Sequence, residues 1–189
     1  MRETFDGFDR ISQVADFVKT EDFIDWIEKT EKRERTKRKN LALKIGTEVD
    51  GLIKGFVHNP IMPTKMSAEV GSCFQAFTSW GENYSPSIVT GERLFNKELG
   101  ITGEPDLYLN NNEISDIKCS IAIRPSYWLQ LGGYLLLPIG FEPKQVSILR
   151  LSKSDGSYEY KVRTDLENLK TLFISALNLY REFNKGVEK

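Results

Sequence analysis

Histidine and cysteine are scarce in this sequence. Its 189 residues include one histidine and two cysteines, and no CxxC pair or cysteine–histidine zinc spacing occurs. Four cysteines would be needed to hold an iron–sulfur cluster, so this chain cannot build one. Cys73 and Cys119 are expected to be small buried apolar residues. His58 lies near the end of a predicted helix, where a histidine commonly caps the helix or faces solvent.

Neither a strong net charge nor a long apolar run is present. The formal net charge is −1, from 26 basic and 27 acidic side chains, which disfavours nucleic-acid binding by bulk charge but permits a local basic groove. No stretch is predicted to cross a membrane or to act as a signal peptide. We therefore expect an intracellular protein without a membrane partner, either cytoplasmic or made by a phage or virus in the host cytoplasm. A GxxxxGK[ST] loop is also missing, so a motor driven by nucleoside triphosphates is not expected.

The composition predicts one globular domain over residues 1–189. Hydrophobic residues make up 40% of the chain and charged residues 28%, which is sufficient for a sizeable core. Residues 1–83 are predicted to form an N-terminal helical part and residues 84–189 a core built on a sheet. Apolar spacing predicts helices over 20–30, 41–59, 66–84 and 165–184, and strands on both sides of the turn sequence SDGS at 154–157.

A dense run of mixed charge covers residues 28–40. Its spacing favours a solvated helix face with many i,i+4 ion pairs. An alternative that is compatible with this helix is contact between Lys37, Arg38 and Lys39 and a nucleic-acid backbone.

Residues 92–134 are predicted to form three short strands followed by a helix. Side chains two residues apart on a strand share a face. Asp116 and Lys118 therefore point to the same side of the third strand, and Ile117 between them points into the core. Asp106 lies on the second strand.

Three carboxylates converge if these strands pair as a meander: Glu92, Asp106 and Asp116. Glu104 shares the face of Asp106 on the second strand. Carboxylates this close repel one another unless a cation lies between them, and Mg2+ and Mn2+ prefer carboxylate oxygens. A lysine beside such a cluster, here Lys118, can hold a water molecule or balance charge on a phosphate.

The helix that follows the three strands is mostly apolar, and Gln130 and Tyr134 are the polar residues near its middle. These two residues are four apart, so they lie one above the other on one side of the helix. Burying such a pair without partners would cost roughly 1–3 kcal/mol per polar group. We therefore expect both side chains to face a polar partner.

Together these residues resemble the PD-(D/E)XK nuclease superfamily, in its RecB-like exonuclease branch, which includes phage and mitochondrial exonucleases. The pattern of that family is an acidic residue on the first strand, Gly-x-x-Asp on the second, (Asp/Glu)-x-Lys on the third and Gln-x-x-x-Tyr on the next helix. The matching residues here are Glu92, Gly103-Glu104-Pro105-Asp106, Asp116-Ile117-Lys118, and Gln130 with Tyr134. The resemblance implies an α/β fold with an αβββαβ core, in which helices flank a central mixed sheet, and an N-terminal helical extension.

The resemblance also implies a metal site with one or two Mg2+ or Mn2+ ions. Asp106, Asp116 and the Ile117 carbonyl would hold the metal, Glu92 would complete or orient the set, and Lys118 would position the attacking water. Related exonucleases often carry a Gly-Thr-x-Val-His segment on an early helix, where the histidine is a metal ligand. This sequence has Gly-Thr-Glu-Val-Asp at 46–50, so Asp50 is expected either as a harder ligand or as a solvated helix residue.

The implied activity is metal-dependent hydrolysis of phosphodiester bonds at DNA ends, with a preference for single strands, in replication, recombination or repair. Gln130 and Tyr134 would be both catalytic and substrate-binding residues, and Arg124 would contact a phosphate or remain in solvent. Duplex unwinding would require a helicase or recombination partner. The alternatives are a structure-specific endonuclease of the same fold and a non-catalytic nucleic-acid-binding module.

Overall fold

The structure is a computed structural model that describes residues 4–5, 7–18 and 28–185. The helices in these ranges are α1 (Ile11–Phe17), α2 (Lys32–His58), α3 (Ala68–Tyr84), α4 (Pro125–Tyr134) and α5 (Leu166–Asn184). The strands are β1 (Thr4–Phe5), β2 (Phe8–Arg10), β3 (Ile88–Thr90), β4 (Leu94–Asn96), β5 (Ile101–Gly103), β6 (Leu107–Leu109), β7 (Glu113–Lys118), β8 (Gln145–Leu151) and β9 (Tyr158–Arg163).

The predicted helices of the N-terminal part are confirmed where the structure describes them. The charged run belongs to the same 27-residue helix, α2, as the apolar stripe that follows it. The stripe of α3 is buried as its spacing indicates, and the Ser67 hydroxyl accepts a hydrogen bond from the Val70 amide at the helix start. Most of the helix predicted at 20–30 lies outside the described residues.

A five-stranded mixed sheet forms the centre of the molecule, in the order β3-β6-β7-β8-β9. β7 and β8 run parallel and the other neighbours are antiparallel. The parallel pair is joined through α4, as parallel strands require a crossover connection. α2 and α3 cover one face of this sheet, while α1, α4 and α5 cover the other.

A second, smaller sheet lies beside the first, in the order β1-β2-β5-β4. The predicted meander of three strands is therefore wrong, because the stretch between residues 92 and 118 contains four strands divided between two sheets. β6 lies between β7 and β3, and β3 ends before Glu92. Pro105 has no amide hydrogen to donate and cannot extend the β6 ladder backwards. The Gly91 amide instead donates to the Asp106 carbonyl at 3.1 Å, as the chain leaves the sheet.

Close packing between α4 and α5 sets the position of the polar pair on α4. A Cβ on Gly132 would lie 2.3 Å from the Leu169 carbonyl oxygen, so only glycine permits this approach of the two helices. The Tyr134 ring similarly lies over Gly103, where a Cβ would be 2.8 Å from the ring. Glycines at these two positions therefore allow α4 to lie close over the site strands.

The predicted fold class, a mixed sheet flanked by helices on both faces, is confirmed. None of the described helices combines the length and the apolar character that crossing a bilayer requires.

Candidate active site

Two aspartates meet where β6 begins and β7 ends. Asp116 lies within β7, between paired strands on both sides, and is fully buried. Asp106 immediately precedes β6 and is partly buried. Its Oδ2 accepts a hydrogen bond of 2.7 Å from the Ile117 amide, which holds the Asp106 side chain against the strand that carries Asp116.

The electrostatic environment of this pair is unfavourable for two negative charges. Burial, reinforced by the charge of Asp116, raises the pKa of Asp106 to about 8. Burial also raises the pKa of Asp116, against the opposing effect of Lys118. The buried Oδ1 of Asp116 has no hydrogen-bond partner among the described residues. The pair therefore tends to retain a proton near neutral pH. A cation bound between the two carboxyl groups would stabilise their charged forms.

Lys118 shares its strand face with Asp116, as the alternation predicts. Its ammonium lies 2.6 Å from Asp116 Oδ2 and 5.1 Å from the centre of the Tyr127 ring. Burial would lower the pKa of Lys118, but the charges of Asp116 and Asp106 outweigh it and raise the pKa. Lys118 therefore stays protonated and acts as a hydrogen-bond donor.

Gln130 and Tyr134 have the polar partner that the sequence requires. The Lys118 ammonium donates to Gln130 Oε1 at 3.2 Å, and Gln130 Nε2 donates to the Tyr134 hydroxyl at 2.5 Å. Tyr134 is buried, and this burial raises its pKa well above the usual range, so the phenol remains neutral. The pair thus connects α4 to the lysine on β7.

Asp106, Gln130 and Tyr134 open into a cavity of about 260 Å³. Its other lining residues are Arg10, Ser12, Asp50, Lys54, Arg93, Thr102, Gly103 and Glu104. Sequence reasoning missed several of these as site residues. Lys54 follows Asp50 by four positions and Glu104 precedes Asp106 by two, so helix and strand periodicity could have found both. Arg10 carries no such local signal, because it reaches the cavity only through the pairing of β2 with β5.

Asp50, expected either as a metal ligand or as a solvated helix residue, lines the cavity and is paired with a cation. Lys54 Nζ lies 3.1 Å from Asp50 Oδ2 and 2.8 Å from Glu104 Oε1, and Arg93 Nη2 lies 3.0 Å from Glu104 Oε2. The hydrogen bond from Lys54 lowers the pKa of Glu104, so this carboxylate is ionised and compensated. Two different carboxylate pairs therefore lie in or next to the cavity: Asp50 and Glu104, neutralised by Lys54 and Arg93, and Asp106 and Asp116, which have Lys118 beside them.

The prediction that Glu92 lies on the first strand is wrong. Glu92 is exposed in the connection between β3 and β4, and it does not line the cavity. Its charge acts on Tyr108, whose pKa is raised to about 12 mainly by burial and secondarily by Glu92. Arg124 is exposed at the N-terminus of α4 and also lies outside the cavity lining.

Cys73 and Cys119, far apart in sequence, lie in contact behind this site. Cys73 is fully buried and its thiol donates to the Leu151 carbonyl oxygen at 3.8 Å, while Cys119 is partly buried. Both are free thiols and belong to the apolar cluster beneath α2 and α3. His58 is exposed at the end of α2, where its Nδ1 lies 2.8 Å from the Lys54 carbonyl oxygen.

No protein-family model and no curated protein matches the sequence. The fold of this chain does resemble the folds of solved structures. A protein from Eubacterium rectale described as a candidate exonuclease superposes with a TM-score of 0.58 at 15% identity, over 97% of this chain and 86% of that chain. The alkaline exonuclease LHK-Exo from Laribacter hongkongensis gives a TM-score of 0.47 at 13% identity, over 95% of this chain and 92% of that chain.

The chain has the fold of the PD-(D/E)XK exonucleases. Nucleases of the PD-(D/E)XK fold use a divalent metal, and the residues here fit one. Two adjacent carboxyl groups with raised pKa values and an unpartnered buried oxygen on Asp116 are the environment that a hard dication neutralises. Within the described part of the chain, however, no three His, Cys, Asp or Glu side chains lie close enough together to form a metal-binding group. The third ligand predicted at Glu92 is therefore not in place.

Proposed function

We propose that this protein is a Mg2+- or Mn2+-dependent DNA exonuclease that hydrolyses phosphodiester bonds at DNA ends. The observation that carries this proposal is the Asp106–Asp116 pair, in which both carboxyl groups have raised pKa values although the Lys118 ammonium lies 2.6 Å from Asp116 Oδ2. A purely structural role does not require two repelling carboxyl groups and a lysine beside them, with one of the carboxyl groups, that of Asp106, at the wall of an open cavity. Ionisable groups with strongly shifted pKa values are concentrated at functional sites.

Asp106 and Asp116 would hold the metal ion, together with the Ile117 carbonyl. A bound divalent ion would supply Lewis-acid stabilisation of the negative charge that develops on the phosphate. Asp116 and Gln130 hold the Lys118 ammonium from two sides, so its position is defined before the substrate binds. Since Lys118 is protonated, it would orient the attacking water or a phosphate oxygen by donating a hydrogen bond. It would not abstract a proton.

Substrate phosphates would enter the cavity from the side that carries Arg10, Lys54 and Arg93. These three side chains place cationic groups along that side of the cavity, and phosphate contacts supply much of the affinity for nucleic acids. Gln130 and Tyr134 would maintain the position of Lys118 against the substrate. Arg124 would contact DNA outside the cavity.

The proposed substrate is a DNA end, preferably single-stranded, in replication, recombination or repair. The resemblance of the ordered motifs to RecB-like exonucleases supports this choice, and the solved structures with a similar fold are named as exonucleases. An endonuclease with the same site would differ in its products, since it would also cut DNA without ends.

Digestion of end-labelled linear DNA tests the proposal. Single- and double-stranded substrates would be incubated beside a circular DNA of the same sequence, with Mg2+, Mn2+ or EDTA. We expect loss of linear DNA only, dependent on metal, and faster for single strands. Lys118→Ala should abolish the reaction, whereas Lys185→Ala, which removes an exposed lysine at the end of α5, should not.

The controls separate the alternative functions. Circular dichroism would establish that both variants are folded. Metal-dependent cutting of the circle would indicate an endonuclease. No cleavage of any substrate by the wild-type protein, or full cleavage by folded Lys118→Ala, would contradict the proposed mechanism.

A further inference from the structure

Two pairs of carboxyl groups lie in or next to the cavity, and their surroundings differ. In the first group, Asp106 and Asp116 share Lys118 as their nearby cation, and Asp116 Oδ1 has no hydrogen-bond partner among the described residues. In the second, Lys54 contacts both Asp50 and Glu104, and Arg93 contacts the remaining Glu104 oxygen. The second group is thus neutralised by the protein itself.

Lys54 reaches both carboxylates because of its place on α2. It follows Asp50 by four residues, so the two side chains lie on one face of the helix. Glu104 approaches from the segment between β5 and β6, which brings an acidic side chain from a different part of the sheet to the same ammonium. The 2.8 and 3.1 Å distances suit an ammonium group, whereas oxygen ligands of Mg2+ lie at about 2.1 Å.

We infer that Lys54 takes the place of a second cation in this site, so that the protein binds a single divalent ion at Asp106 and Asp116. Asp50 then holds Lys54 instead of coordinating the metal. Lys54 is a positioning residue. Its ammonium keeps Asp50 and Glu104 in place and prevents them from recruiting another ion. This inference rests on the proposed nuclease function.

Charge also favours a single ion. Lys54 and Arg93 together offset the charges of Asp50 and Glu104, so a dication added beside them would meet two positive groups and no net negative charge. At Asp106 and Asp116 two carboxyl groups face one ammonium, which leaves an attractive site for one dication. A second ion would require Lys54 to leave its two partners.

Mn2+ binding in the absence of DNA tests this inference without any reference to activity. Binding would be followed by calorimetry and by the electron-spin-resonance signal of free Mn2+, with the intact wild-type chain and three variants. The wild-type protein should bind one ion. Lys54→Met keeps the apolar stem but removes the charge, so Asp50 and Glu104 should acquire a second ion. Lys54→Arg, which retains the charge, and Lys185→Met, the surface control, should each bind one.

Asp50→Asn gives an independent measurement if Lys54→Met does not fold. A residue that holds Lys54 and contacts no metal ligand can lose its charge with little change in Mn2+ affinity, whereas loss of a direct carboxylate ligand should weaken binding by about tenfold or more. Two ions in the wild-type protein, one ion in folded Lys54→Met, or a tenfold loss in Asp50→Asn would each overturn the inference.

The two proposals fail in different ways. Two ions in the wild-type protein together with metal-dependent DNA cleavage would reject the role of Lys54 and retain the nuclease. One ion in the wild-type protein and two in Lys54→Met, without cleavage of any DNA, would reject the nuclease and retain the role of Lys54. Absence of Mn2+ binding would reject both.

Discussion

The Lys118 ammonium on β7 donates a hydrogen bond to Gln130 Oε1 on α4 across 3.2 Å. This contact ties the strand that carries the candidate catalytic lysine to the helix above it. Tyr134 does not touch Lys118 in this chain of hydrogen bonds, but accepts from the Gln130 amide. Lys118 thus depends directly on Gln130, and on Tyr134 only through Gln130.

Gln130→Ala should therefore slow DNA cleavage more than Tyr134→Phe. Loss of a hydrogen bond to a charged group costs about 1.5–3 kcal/mol, which corresponds to roughly 10- to 100-fold in rate if the bond is needed in the transition state. Single-turnover rates at saturating metal would measure both variants and the double variant. Because both residues act through one contact, the double variant should resemble Gln130→Ala alone. Additive losses, or a larger loss in Tyr134→Phe, would contradict this order.

Asp116→Asn should abolish cleavage and at the same time raise the unfolding temperature of the metal-free protein. Burial raises the pKa of Asp116, which means that folding disfavours its charged form, and a neutral side chain removes that penalty. Thermal unfolding in EDTA would measure the change. Added Mg2+ should stabilise the wild-type protein and not the variant.

Asp155→Asn is the matched control for this variant. Hydrogen bonds from Ser152 and Ser157 lower the pKa of Asp155 to about 2, so its charged form is favoured by folding. Neutralising it should lower the unfolding temperature and leave the Mg2+ effect intact. If Asp116→Asn also lowered the unfolding temperature, the charge on Asp116 would not be destabilising the folded protein.

The stability of the metal-free protein should fall as the pH rises from about 4 to about 8. Asp106 has an unfolded-state pKa near 3.8 and a folded-state pKa of about 8, so the folded state binds more protons throughout that window. Where the folded state binds more protons than the unfolded state, the free energy of unfolding decreases as the pH increases. Chemical unfolding in EDTA at several pH values would measure this slope. Asp106→Asn should flatten it, and an unchanged slope would exclude Asp106 as its origin.

Gly132→Ala and Gly51→Ala should change stability in opposite directions. A Cβ at Gly132 would lie 2.3 Å from the Leu169 carbonyl oxygen, so the α4–α5 contact must open, at a cost of about 1–3 kcal/mol or more. A Cβ at Gly51, in the middle of α2, meets no atom within 4 Å, and alanine there should stabilise the helix by up to about 1 kcal/mol. Denaturant unfolding would compare the two. Equal changes in the free energy of unfolding would show that α4 and α5 can shift to accommodate the added methyl group.

Local periodicity was sufficient to predict several parts of the site. Asp116 and Lys118 share a face because strand side chains alternate, whatever the strand pairs with. Gln130 and Tyr134 share a face because a helix turns once in 3.6 residues. The apolar stripes of α3 and α5 are buried as their spacing predicts. These features depend on residues close in sequence, so the sequence alone determines them.

Strand pairing decided the rest, because pairing joins residues that are distant in sequence. Glu92 follows β3 and is exposed outside the cavity lining, since the ladder between β3 and β6 ends at Pro105 and the chain leaves the sheet after Gly91. Arg10 enters the cavity because β2 pairs with β5 and lies opposite Thr102. No local pattern indicates either outcome.

The sequence by itself determined which residues can act together on one strand or one helix: Asp116 with Lys118, and Gln130 with Tyr134. Only the tertiary structure decided which carboxylates are compensated. Asp50 and Glu104 are neutralised because Lys54 and Arg93 meet them across separate elements, while Asp106 and Asp116 are brought together with one lysine between them. The physical reason is that the energy of a charge depends on burial and on neighbours a few ångströms away, and both arise only when the chain folds.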